Sequence, residues 1–202
     1  MTAEDLFEQF RAFLPKYLSP ADSRQLFSEL SQFPSGKAFY LFRQSDDGVL
    51  QGDAWKGLVA IDFMTAGRKT VSGVVLSNSC DVDSENKRNY PVKILFSPLI
   101  TLAKYLDYLS KGGVSESRIQ TIGDDIRRQY VTSIFYLPGI SGKIDESIIL
   151  LDDIHHHPLD NFVKTERELG FRLSQYGFYL LLLKLSIHFC RFQEGVRRFD
   201  TR

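Results

Sequence analysis

The middle of this chain repeats a pattern of short apolar runs separated by polar turns, and this pattern constrains the fold more than any other feature. Each run is five to seven residues long, and most contain several Val, Ile, Phe or Tyr residues, which favour strands. Several runs are apolar almost throughout, as expected of strands in a small, tightly closed sheet. The pattern predicts six strands, at residues 38–43, 57–63, 71–77, 92–97, 132–137 and 147–151.

Apolar residues at helical spacing surround and interrupt this extended region, notably at 102–109, 115–130 and 176–192. Residues 178–183 are apolar on every side, so we expect the last helix, capped by Ser174, to be buried on the sheet or in a dimer interface. The sequence therefore predicts an α+β fold with N-terminal helices and a long C-terminal helix. Its expected parts are a helical cap at 1–36, a β-rich unit at 37–161 with a helical insertion at about 101–130, and a C-terminal helix in 162–202 that packs on this unit.

The overall charge is balanced, which removes the simplest argument for a nucleic-acid or membrane-surface protein. The 202 residues include 25 Lys and Arg against 25 Asp and Glu, although residues after 162 carry a basic excess. Two cysteines, Cys80 and Cys190, do not suffice for a disulfide framework, and no apolar run reaches the ~20 residues of a membrane span. The acidic N-terminus does not resemble a signal peptide, so we expect a cytoplasmic protein without a membrane partner.

Four short motifs follow one another in a recognisable order. They are Gln51-Gly-Asp-Ala-Trp55, Ser72-Gly-Val-Val-Leu-Ser-Asn78, Val92-Lys-Ile-Leu-Phe-Ser-Pro-Leu-Ile-Thr101 and Asp145-Glu-Ser-Ile-Ile-Leu-Leu-Asp-Asp-Ile154. This order resembles that of the PemK/MazF-like family, in which a Gly-Asp strand start precedes a Val-Leu-Ser-Asn strand end and a strand ending in a Pro-Ile-Thr-like motif. The last motif is similar to the family's final strand before its C-terminal helix. The resemblance covers about residues 51–161.

The resemblance implies an SH3-like β-barrel, and many family members are sequence-specific endoribonucleases of toxin–antitoxin systems. In these enzymes an Arg and a Thr or Ser act at the scissile phosphate without a metal. Thr101 falls on the family's Thr position, but the stretch Thr70-Val-Ser-Gly-Val-Val has no counterpart of the family's Arg. Arg68 and Lys69 could replace it only if their loop folds back, because phosphoryl transfer needs a positioned positive charge.

The segment Ser77-Asn-Ser-Cys-Asp-Val-Asp83 departs from the toxins and is similar to a Ser-x-Thr-Cys-Asp-type segment of uncharacterised bacterial proteins. Cys80 and Asp81 follow a predicted strand and begin a polar loop, where side chains can face a ligand. One interpretation is a thiol nucleophile or metal ligand, with a histidine from 155–157 as base or co-ligand. The other is a turn stabilised by Asn78 and Asp81, with Cys80 as a small filling residue.

The run Asp152-Asp-Ile-His-His-His157 also has two interpretations. Alternate residues of an extended chain face the same side, so His155 and His157 could join Asp153 around a metal ion. Zinc-type ligand spacings are missing, and the alternative is a strand end with solvated histidines before Pro158. No Gly-rich phosphate loop, Walker motif or HExxH motif occurs, so we expect no nucleotide or other organic cofactor.

Two functions of different class follow from these observations. The first is a non-catalytic barrel that binds a nucleic-acid or protein partner, such as an antitoxin, in a toxin–antitoxin or phage-defence setting. The second is a metal-independent endoribonuclease acting on single-stranded RNA through Thr101 and a relocated cation. If the ligand is RNA, basic residues after 162 and aromatic residues such as Trp55, Tyr90 and Tyr105 could form a phosphate groove with stacking surfaces for bases. The long apolar helix also makes a homodimer a candidate assembly.

Overall fold

The computed structural model describes residues 39–41, 48–62, 64–83, 85–86, 88–165 and 167–189, together with positions 21 and 24. Between residues 39 and 189 it has an α+β fold, which confirms the predicted fold class. The strands are β1 (Tyr40–Leu41), β2 (Ala54–Ile61), β3 (Arg68–Val75), β4 (Lys93–Pro98), β5 (Ile100–Thr101), β6 (Ile134–Leu137), β7 (Ser147–Leu150), β8 (His155–Pro158) and β9 (Leu169–Leu173). The helices are α1 (Ser79–Val82), α2 (Leu102–Lys111), α3 (Glu116–Arg127), α4 (Leu159–Lys164) and α5 (Gln175–Phe189). The predicted helical cap at 1–36 lies outside the described residues except at positions 21 and 24.

The strands form two antiparallel sheets that share one continuous stretch of chain. Six strands follow the order β1-β9-β2-β3-β4-β8, and three follow the order β5-β7-β6. β4 leads into β5 after a single residue, so β4 pairs with β8 while β5 pairs with β7. The Ser97 hydroxyl donates to Leu150 O at 2.8 Å and thereby joins the two sheets.

The larger sheet curls into a half-barrel, and a side chain rather than a strand ladder holds the curl together. β8, at one end of the strand order, comes into contact with β2. Arg167 lies between them, where its guanidinium donates to Gly57 O on β2 and contacts His157 Nε2 on β8 at 3.1 Å. The same group lies over the ring of Phe162, 4.8 Å from its centroid. We call this Arg167-mediated junction between β2 and β8 the seam.

The Gly-Asp motif at the start of β2 fixes how this strand meets β9. Gly52 has a φ of +90°, and a Cβ there would lie 2.9 Å from Leu173 Cδ1, so only glycine fits. Asp53 is fully buried and accepts two bonds from Arg172 on β9, at 2.9 and 2.8 Å. It also accepts from Leu50 N at 3.0 Å. The motif is thus a turn built around a buried ion pair.

Three groups of buried apolar residues stabilise this arrangement. The largest lies where α5 meets β1 and β9 and includes Leu173 and Leu181. A second fills the half-barrel around Leu58 and Phe96, and a third packs α2 and α3 on the smaller sheet. Fully burying a side chain such as Leu181 contributes roughly 1.5–3 kcal/mol. No helix within the described residues is long and apolar enough to cross a lipid bilayer.

Candidate functional site

Thr101, which the sequence resemblance aligns with a catalytic Thr, lies where β5 ends and α2 begins. It is the N-cap of α2, and its hydroxyl accepts from Lys104 N at 3.4 Å. Thr101 pairs with Ser147 across the smaller sheet and is half-buried. An N-cap hydroxyl satisfies a backbone N–H that has no partner inside the helix. The structure therefore gives this side chain a role in starting α2.

Arg127, on α3, is another cation to compare with Thr101, because α2 and α3 both pack on the smaller sheet. Residues paired in an antiparallel sheet point to the same face, so Thr101 and Ser147 share one face. Tyr136 pairs with Ile148 and therefore points to the opposite face, where its hydroxyl contacts Glu146. Arg127 binds this same Glu146. The Thr101 hydroxyl instead accepts from Lys104 N of α2, and no hydrogen bond joins it to Arg127 among the described residues.

Arg127 is moreover occupied by its carboxylate partner. Its Nε and Nη2 donate to the two oxygens of Glu146 at 2.8 and 3.1 Å, and Tyr136 Oη donates to Oε1 at 2.5 Å. The hydrogen bonds from Arg127 lower the pKa of Glu146, and burial raises the pKa of Tyr136. This network ties α3 to the smaller sheet and leaves little of the guanidinium's charge for a phosphate.

Neither Arg68 nor Lys69 makes a hydrogen bond or pairs in a strand ladder with Thr101. They are the first two residues of β3 and pair with Ile61 and Ala60 of β2, beside the turn of this hairpin. β3 meets β4 only at Gly73–Val75, at its other end. The 68–69 segment is strand rather than a loop that folds back, so the required relocation of a cation is not seen.

The segment Ser77-Asn-Ser-Cys-Asp forms a tight turn and the four-residue helix α1. Asn78 is the N-cap, and its side-chain oxygen accepts from Cys80 N at 3.0 Å. Ser77 and Ser79 accept from the backbone N–H groups of Leu95 and Gln51, at 2.8 and 2.9 Å. These bonds agree with the turn interpretation of the segment. Cys80 is exposed, and no contact between its thiol and a histidine is present within the described residues.

Asp81 holds an arginine that sequence reasoning did not single out. Arg88 donates to Asp81 Oδ1 at 2.5 Å and to Tyr90 Oη at 2.6 Å, and it lies over the Tyr90 ring. The hydrogen bond to Tyr90 is the largest of the causes that raise the pKa of Arg88, followed by the one to Asp81. Asp81 thus positions the loop that follows α1.

This loop and α4 line an open cleft of about 580 Å³. Tyr90, Val92, Leu159 and Val163 give it an apolar side. The charged groups that line it among the described residues are two carboxylates and two cations, Asp83 and Asp160 with Arg88 and Lys164. A volume of this size suits a small ligand or a few side chains of a partner.

The histidine run forms β8, and its members separate. His155 Nε2 lies 3.0 Å from Asp153 Oδ1, and the ring stacks on Phe96. His157 is buried, accepts at Nε2 from Arg167 and therefore donates from Nδ1 to Pro158 O at 3.1 Å. The structure brings Asp153 to His155 but directs His157 to the seam. Within the described part of the chain, no three His, Cys, Asp or Glu side chains are grouped as a metal site requires.

Sequence reasoning missed the three arginines that organise these regions, namely Arg88, Arg127 and Arg167. Each sits in a polar stretch where the sequence alone does not show its main partner. A weak signal existed for Arg127, because Asp124 precedes it by three residues on α3 and forms an exposed pair with it. Its main partner, Glu146, is 19 residues away.

Comparison of the chain with protein-family models found no match, and a search of curated proteins found none either.

Proposed function

We propose that this chain is a non-catalytic binding module with a PemK/MazF-like, SH3-like barrel, and that its partner is a protein. The observation that carries the proposal is the use of Thr101 as a helix cap with no cation in contact among the described residues. A residue that must act at a scissile phosphate needs a positive charge held against the same phosphate. The other candidate function, a metal-independent endoribonuclease, lacks this pairing.

Three cations that such an enzyme could have used, Arg68, Lys69 and Arg127, are placed unfavourably. Arg68 and Lys69 lie beside the hairpin turn, beyond the point where β3 leaves β4. Arg127 is bound bidentately by Glu146. In this proposal the chain keeps the family's fold and its Thr but lacks the positively charged residue that catalysis requires.

A protein partner is favoured over single-stranded RNA by the mixed charges of the cleft. Asp83 and Asp160 would face the phosphates of a bound strand, and Arg88 already neutralises Asp81. RNA backbones bind best where cations are not balanced by carboxylates. In this proposal the module works in the cytoplasm with a cognate protein, in a toxin–antitoxin or phage-defence setting.

The direct test of the proposal is an RNA cleavage assay with the full chain, in EDTA, on a mixed-sequence single-stranded RNA. We expect no cleavage at high protein concentration, with Thr101→Ala giving the same result. Cleavage by the wild type that Thr101→Ala abolishes would establish the endoribonuclease and overturn the proposal. Salt-sensitive binding of a labelled RNA without cleavage would replace the protein partner by RNA.

The capping role gives a second measurement on the same variant. Thr101→Ala should lower the free energy of unfolding by about 0.5–1 kcal/mol, because it removes the acceptor for Lys104 N. Ser115→Ala is the matched control, since Ser115 is the N-cap of α3 but makes no side-chain cap bond. Urea titrations that show equal losses for the two variants would contradict the capping role.

A further inference from the structure

β3 is longer than the strand beside it, and this leaves an open edge. β3 pairs with β2 along its whole length but with β4 only at Gly73–Val75. The last contact across this edge is the bond from Leu99 N to Ser72 O, at 2.8 Å. The chain then continues as β5, which pairs with β7 in the other sheet. No described strand pairs with residues 68–71 on this side.

The backbone groups at this edge can be identified from the ladder. In an antiparallel pair, alternate residues direct both N–H and C=O to the same neighbour. Ser72 bonds to Leu99, so Thr70 and Arg68 direct their N–H and C=O groups to the same side, past the end of β4. Lys69 and Val71 face β2 instead, where they pair with Ala60 and Leu58. The open edge therefore offers donors and acceptors in alternation.

The side chains around this edge are exposed and basic. Arg68, Lys69 and Thr70 are all exposed, and neither cation has an ion pair with a described residue. Ile61 and Met64, in the same hairpin, are 41% and 94% exposed. An edge with free backbone groups and accessible side chains is a template for a further strand.

We propose that residues 68–72 receive an extended acidic segment of a protein partner, which adds to β3 as an extra antiparallel or parallel strand. This inference rests on the proposed function, because it names where and how the partner binds. A segment of about five residues, an average strand length, would cover the edge. Its main chain would bond to Thr70 and Arg68, and its carboxylates would meet Arg68 and Lys69.

A peptide suits this edge better than RNA because of its backbone chemistry. The edge presents both N–H donors and C=O acceptors, and a peptide backbone supplies both complements. The phosphate groups of RNA supply acceptors only, so the C=O groups of Thr70 and Arg68 would depend on ribose 2′-hydroxyls for donors. The positive charges of Arg68 and Lys69 would then favour a peptide that carries acidic residues.

Thr70→Pro isolates the main-chain contribution. Proline removes the N–H that faces the open edge, and it is tolerated on an edge where that N–H faces solvent. Thr70→Val is the matched control because it keeps the N–H. The double variant Arg68→Glu/Lys69→Glu tests the charge, with Lys93→Glu/Lys104→Glu as its control at other exposed lysines.

The experiment is selection of random displayed peptides on the full chain, followed by affinity and amide exchange measurements with the enriched peptides. We expect acidic peptides that slow exchange at Thr70 and Arg68, that bind Thr70→Pro at least tenfold more weakly, and that bind both control variants as tightly as wild type. We also expect that the Arg68→Glu/Lys69→Glu variant no longer binds these acidic peptides. If Thr70→Pro fails to fold, the exchange data on the wild type and the charge variant decide the question.

The outcomes separate this inference from the proposed function. Enriched peptides that bind Thr70→Pro and the charge variant like wild type would overturn the strand-edge site but leave a protein-binding module. Failure to enrich any peptide would overturn the site, and cleavage of RNA by the same preparation would overturn the function. Binding of a labelled oligouridine that depends on Arg68 and Lys69 but not on the Thr70 N–H would show that these cations serve phosphate, and would overturn the peptide edge.

Discussion

Two buried charged residues, Asp53 and Lys184, show how single side chains shape this molecule. Asp53 is fully buried and bonded to Arg172 by both carboxylate oxygens. A buried pair of this kind is costly to break, because either partner alone remains as an uncompensated charge. The family-like Gly-Asp motif therefore has a structural explanation that is independent of any catalytic role.

We expect Asp53→Asn to lower the free energy of unfolding by about 3–5 kcal/mol, because it leaves the Arg172 charge buried without its carboxylate. Urea denaturation followed by circular dichroism measures this loss. The control is Lys56→Met, which removes the exposed pair with Glu168 and should change the stability by at most about 1 kcal/mol. Equal effects of the two variants would show that the buried pair contributes no more than a surface pair.

Lys184 on α5 is the second buried charge, and it makes stability depend on pH. Its Nζ donates to Gln129 O at 2.5 Å, and burial lowers its pKa to about 8. The unfolded chain keeps this proton up to about pH 10.5, so the unfolded state binds more protons between these values. Stability from this group is therefore complete at high pH and is lost as the pH falls through about 8.

The free energy of unfolding should accordingly rise between pH 8 and pH 10 by at most about 1.4 kcal/mol per unit from Lys184. Lys184→Met should remove this rise, and the difference between the two proteins cancels the other titrating groups. The window ends at pH 10 because burial raises the pKa values of Tyr40 and Tyr136, which opposes folding above that pH. Parallel pH profiles for wild type and Lys184→Met would contradict the prediction.

Among the elements, the seam is the feature that most affects the half-barrel. Elsewhere in the larger sheet, neighbouring strands are joined by main-chain ladders, whereas β2 and β8 meet through the side chain of Arg167. Burial lowers the pKa of Arg167, and its contacts include two backbone oxygens, on Gly57 and Phe162, and the His157 ring. The Arg167 guanidinium thus links β2 and β8 where no strand ladder joins them.

Arg167→Met should lower the free energy of unfolding by about 2 kcal/mol, through the loss of charge-assisted bonds to Gly57 O and Phe162 O. The amides of β2 and β8 near the seam should also exchange faster. Arg128→Met, at an exposed position of the chain, should stay within about 0.5 kcal/mol of wild type. Unchanged exchange in β2 and β8 would mean that the curl does not depend on Arg167.

β6 and β7 could be predicted from sequence because each buries a continuous run of residues. β2 and β3 begin three residues earlier than predicted, since pairing within the hairpin extends strands into polar positions such as Arg68 and Lys69. β8 escaped prediction because its sequence is His-His-His-Pro, and it becomes a strand only through its ladder with β4. β9 falls in a segment predicted as part of the C-terminal helix region, and its Arg172 is explained only by Asp53, 119 residues away.

The candidate sites likewise depend partly on tertiary contacts that the sequence does not show. The capping potential of Asn78 and the exposure of Cys80 follow from local sequence, and the structure shows both. The partners of Arg88, Arg127 and His157 depend on tertiary contacts, which spacing along the chain does not reveal. Sequence resemblance alone placed Thr101 at a scissile phosphate, and only the fold shows that Arg127 is held by Glu146.

At the scale of the whole molecule, the two sheets are joined by the continuous stretch from β4 to β5. The bond from the Ser97 hydroxyl to Leu150 O adds a side-chain connection at the point where the chain passes from one sheet to the other. Ser97 is fully buried, so this bond is shielded from water. Two sheets joined in this way should unfold as one cooperative unit.

Trp55, the single tryptophan of the chain, reports on the half-barrel, because it packs edge-on against Phe162 with centroids 5.4 Å apart. Urea transitions followed by Trp55 fluorescence and by helical circular dichroism should coincide. Ser97→Ala should shift both transitions together by about 1 kcal/mol, whereas Thr121→Ala on the exposed face of α3 should have little effect. Two separate midpoints in the wild type would show that the sheets unfold independently.

The seam also has a mechanical consequence. A ladder of strand hydrogen bonds resists shear because its bonds share the load, whereas β2 and β8 are joined by the bonds of Arg167 and by apolar packing such as that of Trp55 on Phe162. Force applied across β2 and β8 should therefore separate the half-barrel along this line before it breaks the strand ladders. The curl of the sheet is therefore closed by side-chain contacts rather than by main-chain hydrogen bonds between β2 and β8.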